Sequence, residues 1–361
     1  MKKLTIIAIV LVAAMSSCTN VDQQRTTQEI QFLVAKHSSA TKADYADYKD
    51  SYQNVPFGTY AWYKGQNEAD NTVYFANKPV GYDEQGNRWI TMGTTYYWPG
   101  TGTLDFISYS PYSGNGTDAP APVVTENSIA YSTPWNVDVH QNVDVMYADK
   151  AIGLGGNKNT FNHGYTGVPT LFRHALARLA FRIQTGILSI KTGEGTTRWE
   201  IDVTSLTLKD IFTTGTVTLN LNEEGEWVKP ETNAWTPTQD ITDRKVSLEG
   251  LSTLDLEGQT LADSFFVLPQ TLENQYLEVV ATIRTYRDPG DGTGEKLIIT
   301  EERVPGTASL KTEEVETWGM NQHITYIITI NPMAEIESSL ILFDPAVAGW
   351  DEIVAGTTLT F

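Results

Sequence analysis

The chain has 361 residues, with 44 acidic side chains against 25 lysines and arginines and a formal net charge of −19 at pH 7. Such an acidic surface offers few cations to phosphates, so nucleic acid is excluded as an expected partner. Cys18 is the only cysteine. No intrachain disulfide, cysteine metal site or further thiol nucleophile can therefore form, and the fold has to rest on core burial, for which a chain of this length suffices.

Lys2 and Lys3 open the chain, residues 4–15 are apolar, and Ser16, Ser17 and Cys18 follow. The apolar run is too short for a membrane span of about 20 residues and has the form of a secretory signal. A cysteine at the cleavage point fits the lipobox of bacterial lipoproteins, with Met15 where leucine is usual. The expectation is a signal peptide over residues 1–17, lipidation at Cys18 and a linker over 18–27. The alternative is an ordinary secretory signal with an incidental cysteine. Several acyl chains would hold the protein to a membrane where one chain would not.

Beyond the linker the periodicity is that of strands. Residues 29–35 alternate, with Ile30, Phe32 and Val34 on one face. Residues 37–50 are polar, as an accessible loop is. Residues 58–63, 71–77, 89–92 and 104–109 read as strands, separated by long polar loops over 113–122 and 153–167. From residue 177 the alternation sharpens. Strands are expected over 177–183, 203–208, 216–221, 265–269, 276–285, 297–304, 324–330 and 340–343. Residues 353–361 then put Ile353, Ala355, Thr357, Leu359 and Phe361 on one face. This pattern predicts an all-β chain of antiparallel sheets packed as sandwiches. The domains are placed at 28–170 and 171–361, with no repeat of solenoid length.

Catalytic patterns are missing. His37, His140, His163, His174 and His323 share no metal-binding spacing, and no nucleophile elbow is present. The acidic, glycine-rich run 288–295 does not place oxygens as a calcium loop requires and reads as a hairpin turn. No catalytic residue, metal or cofactor is expected. Trp62, Tyr96, Tyr97 and Trp98 have two readings, as core aromatics or as platforms for sugar rings.

Several segments together resemble the fimbrillins of the Mfa-like branch, subunits of type V pili. They are Tyr97-Trp98-Pro99, the run 104–112 (LDFISYSPY), Asp144-Val145-Met146-Tyr147-Ala148, the run 171–178 (LFRHALAR), Phe266-Val267-Leu268-Pro269-Gln270 and the run 341–350 (ILFDPAVAGW). The resemblance implies two transthyretin-like β-sandwich domains, export as a lipoprotein to the outer membrane surface, and assembly with other subunits by strand exchange. In that scheme a protease cuts after the first strand, and Thr41-Lys42-Ala43 stands where relatives often carry Thr-Arg-Ala. Lys42 and Ala43 are thus the candidate protease site, and Ile30, Phe32 and Val34 mark the candidate displaced strand. The segment 352–361 is the candidate donor, or else the last strand of its own domain. Burying the three apolar residues contributes about 2–3 kcal/mol each, in sum comparable to a domain's stability of about 5–15 kcal/mol. The resemblance thus implies a fimbrial structural or adhesive subunit rather than an enzyme, with a host or microbial surface as a candidate ligand. The alternative is a monomeric glycan-binding surface lipoprotein.

Overall fold

The structure is a computed structural model that describes residues 25–36, 55–113, 120–141, 143–156, 167–193, 195–222, 235–262, 264–302, 306–332 and 351–360. The expected leader, Cys18, the Lys42–Ala43 site, Phe361 and the expected strand at 340–343 lie outside the described residues. Among the described residues the protein is all-β, with a single 3-10 turn at Glu68–Asp70 and no α-helix.

The first half contains β1 (Arg25–Glu29), β2 (Gln31–Lys36), β3 (Phe57–Lys64), β4 (Thr72–Asp83), β5 (Arg88–Thr91) and β6 (Tyr97–Pro99). It continues through β7 (Thr103–Ser110), β8 (Val123–Thr125), β9 (Ser128–Asn136), β10 (Met146–Ala148), β11 (Ala151–Leu154) and β12 (Val168–His174). The main sheet runs β10-β12-β2-β5-β4-β3-β7-β11, and β10 also pairs β7, which closes the sheet on itself. Inside lie Phe57, Phe75, Trp89, Trp98, Phe106 and Phe172, together with Ile30 and Phe32 from the first strands. Several aromatic pairs meet edge to face, as Trp98 and Phe106 do (centroids 5.8 Å apart, planes at 73°).

The second half contains β13 (Ala177–Thr185), β14 (Ser189–Thr192), β15 (Gly195–Ile211), β16 (Thr214–Asn220), β17 (Thr236–Pro237), β18 (Thr242–Lys245), β19 (Gln259–Thr260) and β20 (Phe265–Val267). It ends with β21 (Gln270–Thr271), β22 (Tyr276–Asp288), β23 (Lys296–Glu302), β24 (Gly306–Ser309), β25 (Thr317–Trp318), β26 (Gln322–Asn331) and β27 (Asp351–Thr360). One sheet is built on β13-β26-β27 and another on β14-β15-β22-β23. They pack face to face over a core to which β13 gives Leu179, Phe181 and Ile183, β15 gives Ile201, Leu206 and Leu208, and β26 gives Ile324, Tyr326, Ile328 and Ile330. Alternate residues of β13 and β26 enter this core, and β15 alternates on each side of a bulge between Val203 and Ser205, which is why the alternation was readable.

Two features depend on non-local pairing. Three strand pairs are parallel among the described residues, β2 with β12, β13 with β26, and β26 with β27. Parallel neighbours need long connections, and these pairs are formed by strands far apart in sequence or joined by a long crossover. In addition, β9 pairs with β16 in a sheet of order β17-β16-β9-β8, so hydrogen bonds join the two halves of the chain. Residue 170 itself lies within β12. Pro134 sits in β9 where the register jumps from Tyr131↔Val217 to Trp135↔Gly215, a bulge that spares the ring a ladder bond. A Cβ on Gly215 would stand 2.8 Å from the Thr236 carbonyl oxygen and 2.9 Å from Leu268, so this close approach requires glycine.

Candidate functional site

The first strands form a continuous path with a break at Ile30. β1 pairs antiparallel with β6, matching Arg25 to Pro99 and Glu29 to Tyr97. The Ile30 N–H then donates to the Tyr96 carbonyl at 2.8 Å, and from Gln31 the chain belongs to the main sheet. The expected strand 29–35 is thus two strands that meet at a buried isoleucine. β2 lies between two neighbours, parallel to β12 (Phe32↔Val168 to Lys36↔Phe172) and antiparallel to β5 (Gln31↔Ile90, Phe32↔Trp89).

Phe32 is the central contact. Its ring meets Phe57 at 5.7 Å and Phe106 at 5.9 Å, both edge-on, and Phe57 in turn contacts Phe172 and Trp89. Ile30 and Phe32 are buried, while Val34 is half-buried and packs against the same core. Leu33, on the opposite face, is exposed. Polar tethers hold the strand entry: Arg88 Nη1 donates to Glu29 Oε2 at 2.8 Å, and its Nε reaches Asp83 Oδ2 at 3.4 Å. The Asp83 carboxyl is held below its usual range by the Gly86 N–H and by Arg88. Removing β2 would leave a slot walled by β12 and β5 and floored by Phe57, Phe106, Trp89 and Phe172.

At the other end of the chain, Ile353, Ala355, Thr357 and Leu359 fall in β27, which runs parallel to β26 from Gln322↔Asp351 to Asn331↔Thr360. β27 is the outer strand of its sheet, paired with β26 alone among the described residues. The candidate first strand is therefore internal to a sheet and the candidate last strand is at an edge. Of the residues considered as sugar platforms, Trp98 is fully buried and Trp62 is buried against Tyr60 with planes 16° apart. Tyr96 packs on Phe75 at 4.6 Å. Trp62 and Trp98 are core aromatics, and Tyr96 is half-buried against the same core as Trp98.

The fimbrillin-like family model matches residues 41–350. The chain belongs to the fimbrillin-like family. The matched stretch begins after β2 and ends just before β27. Among solved structures, a fimbrial protein from Bacteroides vulgatus ATCC 8482 is similar at 15% identity and a TM-score of 0.56, covering 84% of this chain and 95% of that one. A putative cell adhesion protein from Bacteroides uniformis ATCC 8492 aligns at 16% identity and a TM-score of 0.45, covering 84% and 94%. At these identities the first likeness establishes the fold. No curated protein matches the chain.

The walls and floor of the β2 slot were not apparent in the sequence of this fimbrillin-like chain. β12 followed a loop-like run, and of its core residues Phe172 appeared only inside the motif 171–178 while Val168 stood at the end of that run. The Glu29–Arg88 tether, 59 residues apart in the chain, had no local signal.

Proposed function

We propose that this protein is a structural or adhesive subunit of a cell-surface pilus, assembled by strand exchange, and that it is not an enzyme. In this reading the chain is exported as a lipoprotein with lipid on Cys18 and reaches the outer membrane surface as two tandem sandwich domains. Proteolysis at Lys42–Ala43 then frees the segment that carries β1 and β2. The segment 351–361 of another subunit enters the slot between β12 and β5. The observation that carries the proposal is the position of β2. It is a strand with neighbours on both sides and Phe32 in an aromatic core, joined onward through the polar run 37–54. Family membership and the fold shared with a fimbrial protein support the same reading.

β27 supports the donor role because an edge strand has one hydrogen-bonded neighbour to leave, whereas β2 has two. Main-chain pairing gives such an incoming strand its affinity and alternate side chains give its register. Loss of the segment carrying β1 and β2 removes about 1.5–3 kcal/mol for each of Ile30 and Phe32 in burial alone. A cleaved subunit is therefore marginal until the slot is refilled.

The deciding experiment is intact mass and N-terminal sequencing of protein released from its own cells, with electrophoresis of unboiled samples. An N-terminus at Ala43 together with a heat-sensitive ladder is the expected result. A lipidated N-terminus at Cys18 with a lone monomer band overturns the exchange mechanism.

A further inference from the structure

The first half holds a lysine and an aspartate that are both withdrawn from water. Asp105 lies on β7, and Lys150 stands in the turn between β10 and β11. Each side chain is 6% exposed, and Lys150 Nζ lies 3.6 Å from Asp105 Oδ2. That separation is too long for a hydrogen bond, and Oδ2 receives none among the described residues. A buried ion pair offsets its desolvation only with close geometry and hydrogen bonds to the remaining atoms, both of which Oδ2 lacks. The other atoms around the pair are well placed. β11 is bulged against β7 between Ala151 and Leu154, which leaves the Gly153 N–H to donate to Asp105 Oδ1 at 2.7 Å. Gly153 sits at φ 67°, a conformation that glycine adopts without a Cβ penalty. On the other side, Lys150 Nζ donates to the Glu126 carbonyl at 3.0 Å and lies 4.0 Å from Glu126 Oε1, which also pairs with Lys64. The turn is pinned as well, since the Asp149 N–H donates to the Leu171 carbonyl and Arg173 grips both Asp149 carboxylate oxygens.

We propose that Lys150 and Asp105 join through an amide between Nζ and the side-chain carboxyl carbon, a cross-link the folded chain makes on itself with Glu126 as proton carrier. The ion pair and the neutral pair of amine and acid hold the same protons, and burial penalises the charged pair. Transfer of one proton from Nζ to Oδ2 therefore prepares the reaction. The amine nitrogen attacks Cγ, the C–N bond forms, and negative charge gathers on Oδ1. The Gly153 N–H already donates to that oxygen, so the charge is met without rearrangement. Glu126 Oε1 takes a proton from Nζ and returns it to Oδ2, the Cγ–Oδ2 bond breaks, and water leaves. Contacts of this kind are longer at rest than during reaction, as the 4.0 Å here is. One amide and one water result, with no oxidant, reductant or co-reactant. Holding both groups in one buried place supplies the proximity that a free amine and acid lack. The link ties the β10–β11 turn to β7, beside the β10–β7 pairing that closes the main sheet. A chain whose only cysteine is Cys18 thereby has a covalent brace that no intrachain disulfide can supply. The cross-link is independent of strand exchange, since β2 and β27 take no part in it.

The test is a glutamate-specific digest of the full chain together with its intact mass. Cleavage after Glu84, Glu126 and Glu194 places Asp105 on peptide 85–126 and Lys150 on peptide 127–194. The two peptides are expected to run as one branched species whose mass is one water less than their sum. Trypsin, which cuts after a free lysine, is expected to leave the bond after Lys150 intact. Lys150→Met removes the attacking amine and keeps an unbranched apolar stem, so its two peptides should separate. Against that variant made the same way, the unsubstituted chain is expected to be one water lighter than the substitution accounts for. Glu126→Gln keeps the backbone carbonyl that holds Lys150, and an unchanged circular dichroism spectrum checks that it folds. It is expected to slow joining in newly synthesised protein by about tenfold or more, read from intact mass and tryptic cleavage after Lys150. Separate peptides of full mass from the unsubstituted chain overturn the cross-link, whatever the variants do. Joining at equal rates with and without Glu126→Gln overturns the part given to Glu126.

Discussion

Tyr326 and Tyr131 show how the same buried phenol has opposite value in two settings. Tyr326 accepts from Trp318 Nε1 at 2.9 Å and donates to the Leu310 carbonyl at 2.8 Å. Replacing it with phenylalanine strands both partners, so Tyr326→Phe is expected to cost about 1–3 kcal/mol, read from chemical denaturation. The Tyr131 hydroxyl is buried with no hydrogen-bond partner among the described residues, its ring lying against Trp135 and Trp235. Tyr131→Phe removes a desolvated group at no loss of packing and is expected to leave stability unchanged or raise it by about 1 kcal/mol. A large destabilisation would show that this hydroxyl has a partner in the folded protein. Burial also sets the alkaline limit. It pushes the Tyr147 phenol up to about 12 and raises Tyr131 and Tyr326 as well. Each group's folded pKa lies above its unfolded value, so the stability it contributes is complete below about pH 10 and is lost as pH rises through the folded value. Denaturation midpoints are expected to hold up to about pH 10 and fall between about 10 and 12, with tyrosinate absorbance rising as unfolding proceeds.

At the scale of elements, β2 anchors the first half through one residue, Phe32. Phe32→Ala empties the space between Phe57 and Phe106 and is expected to cost about 3–5 kcal/mol, whereas Leu33→Ala, on the exposed face, should change stability by less than about 0.5 kcal/mol. A chain starting at Ala43 should melt well below the full chain, and a peptide of sequence 351–361 should raise its melting temperature. If the peptide has no effect at saturating concentration, the slot does not receive β27. The contrast between residues 32 and 33 could be read from alternation alone, as could β13, β22 and β26, because one face of each strand is apolar and the period of two marks it. β9 was hidden by Pro134, which normally argues against a strand and is accommodated here by a bulge opposite Gly215 and Val217. The division between β1 and β2 was hidden too, since Ile30 continues the alternation while its N–H turns to Tyr96. Slot walls set by β12 and β5 depend on pairing across more than a hundred residues for β12, and no local pattern encodes that.

For the whole molecule, the sheet that joins β9 to β16 decides how the halves share stability. Its core combines Trp62, Ile107, Tyr109, Ile129, Tyr131 and Trp135 from the first half with Val217, Leu219, Trp235, Leu268 and Met320 from the second. The Val137 N–H donates to the Thr213 carbonyl at 2.9 Å, and Arg244 Nε reaches Asp138 Oδ1 at 3.2 Å, so polar ties reinforce the apolar ones. Domains joined by a thin, polar contact melt apart, but a buried hydrophobic core drawn from both sides couples them. Heat unfolding is therefore expected as one cooperative transition, with the calorimetric and van't Hoff enthalpies equal. Trp135→Ala should lower that single midpoint by removing about 3–5 kcal/mol, and should do so equally for probes in each half, such as amide exchange in β3 and in β15. Two transitions, only one of them moved by Trp135→Ala, would mean that the shared core does not couple the halves. Coupling of this kind bears on assembly. If β2 leaves the first half, the strain passes through β9 and β16 to the sandwich that holds β27, so loosening one end of the chain would be felt at the other. Amide protection along β26, compared between the full chain and one starting at Ala43, measures that transmission directly: reduced protection is expected, and unchanged protection would show that the two ends act independently.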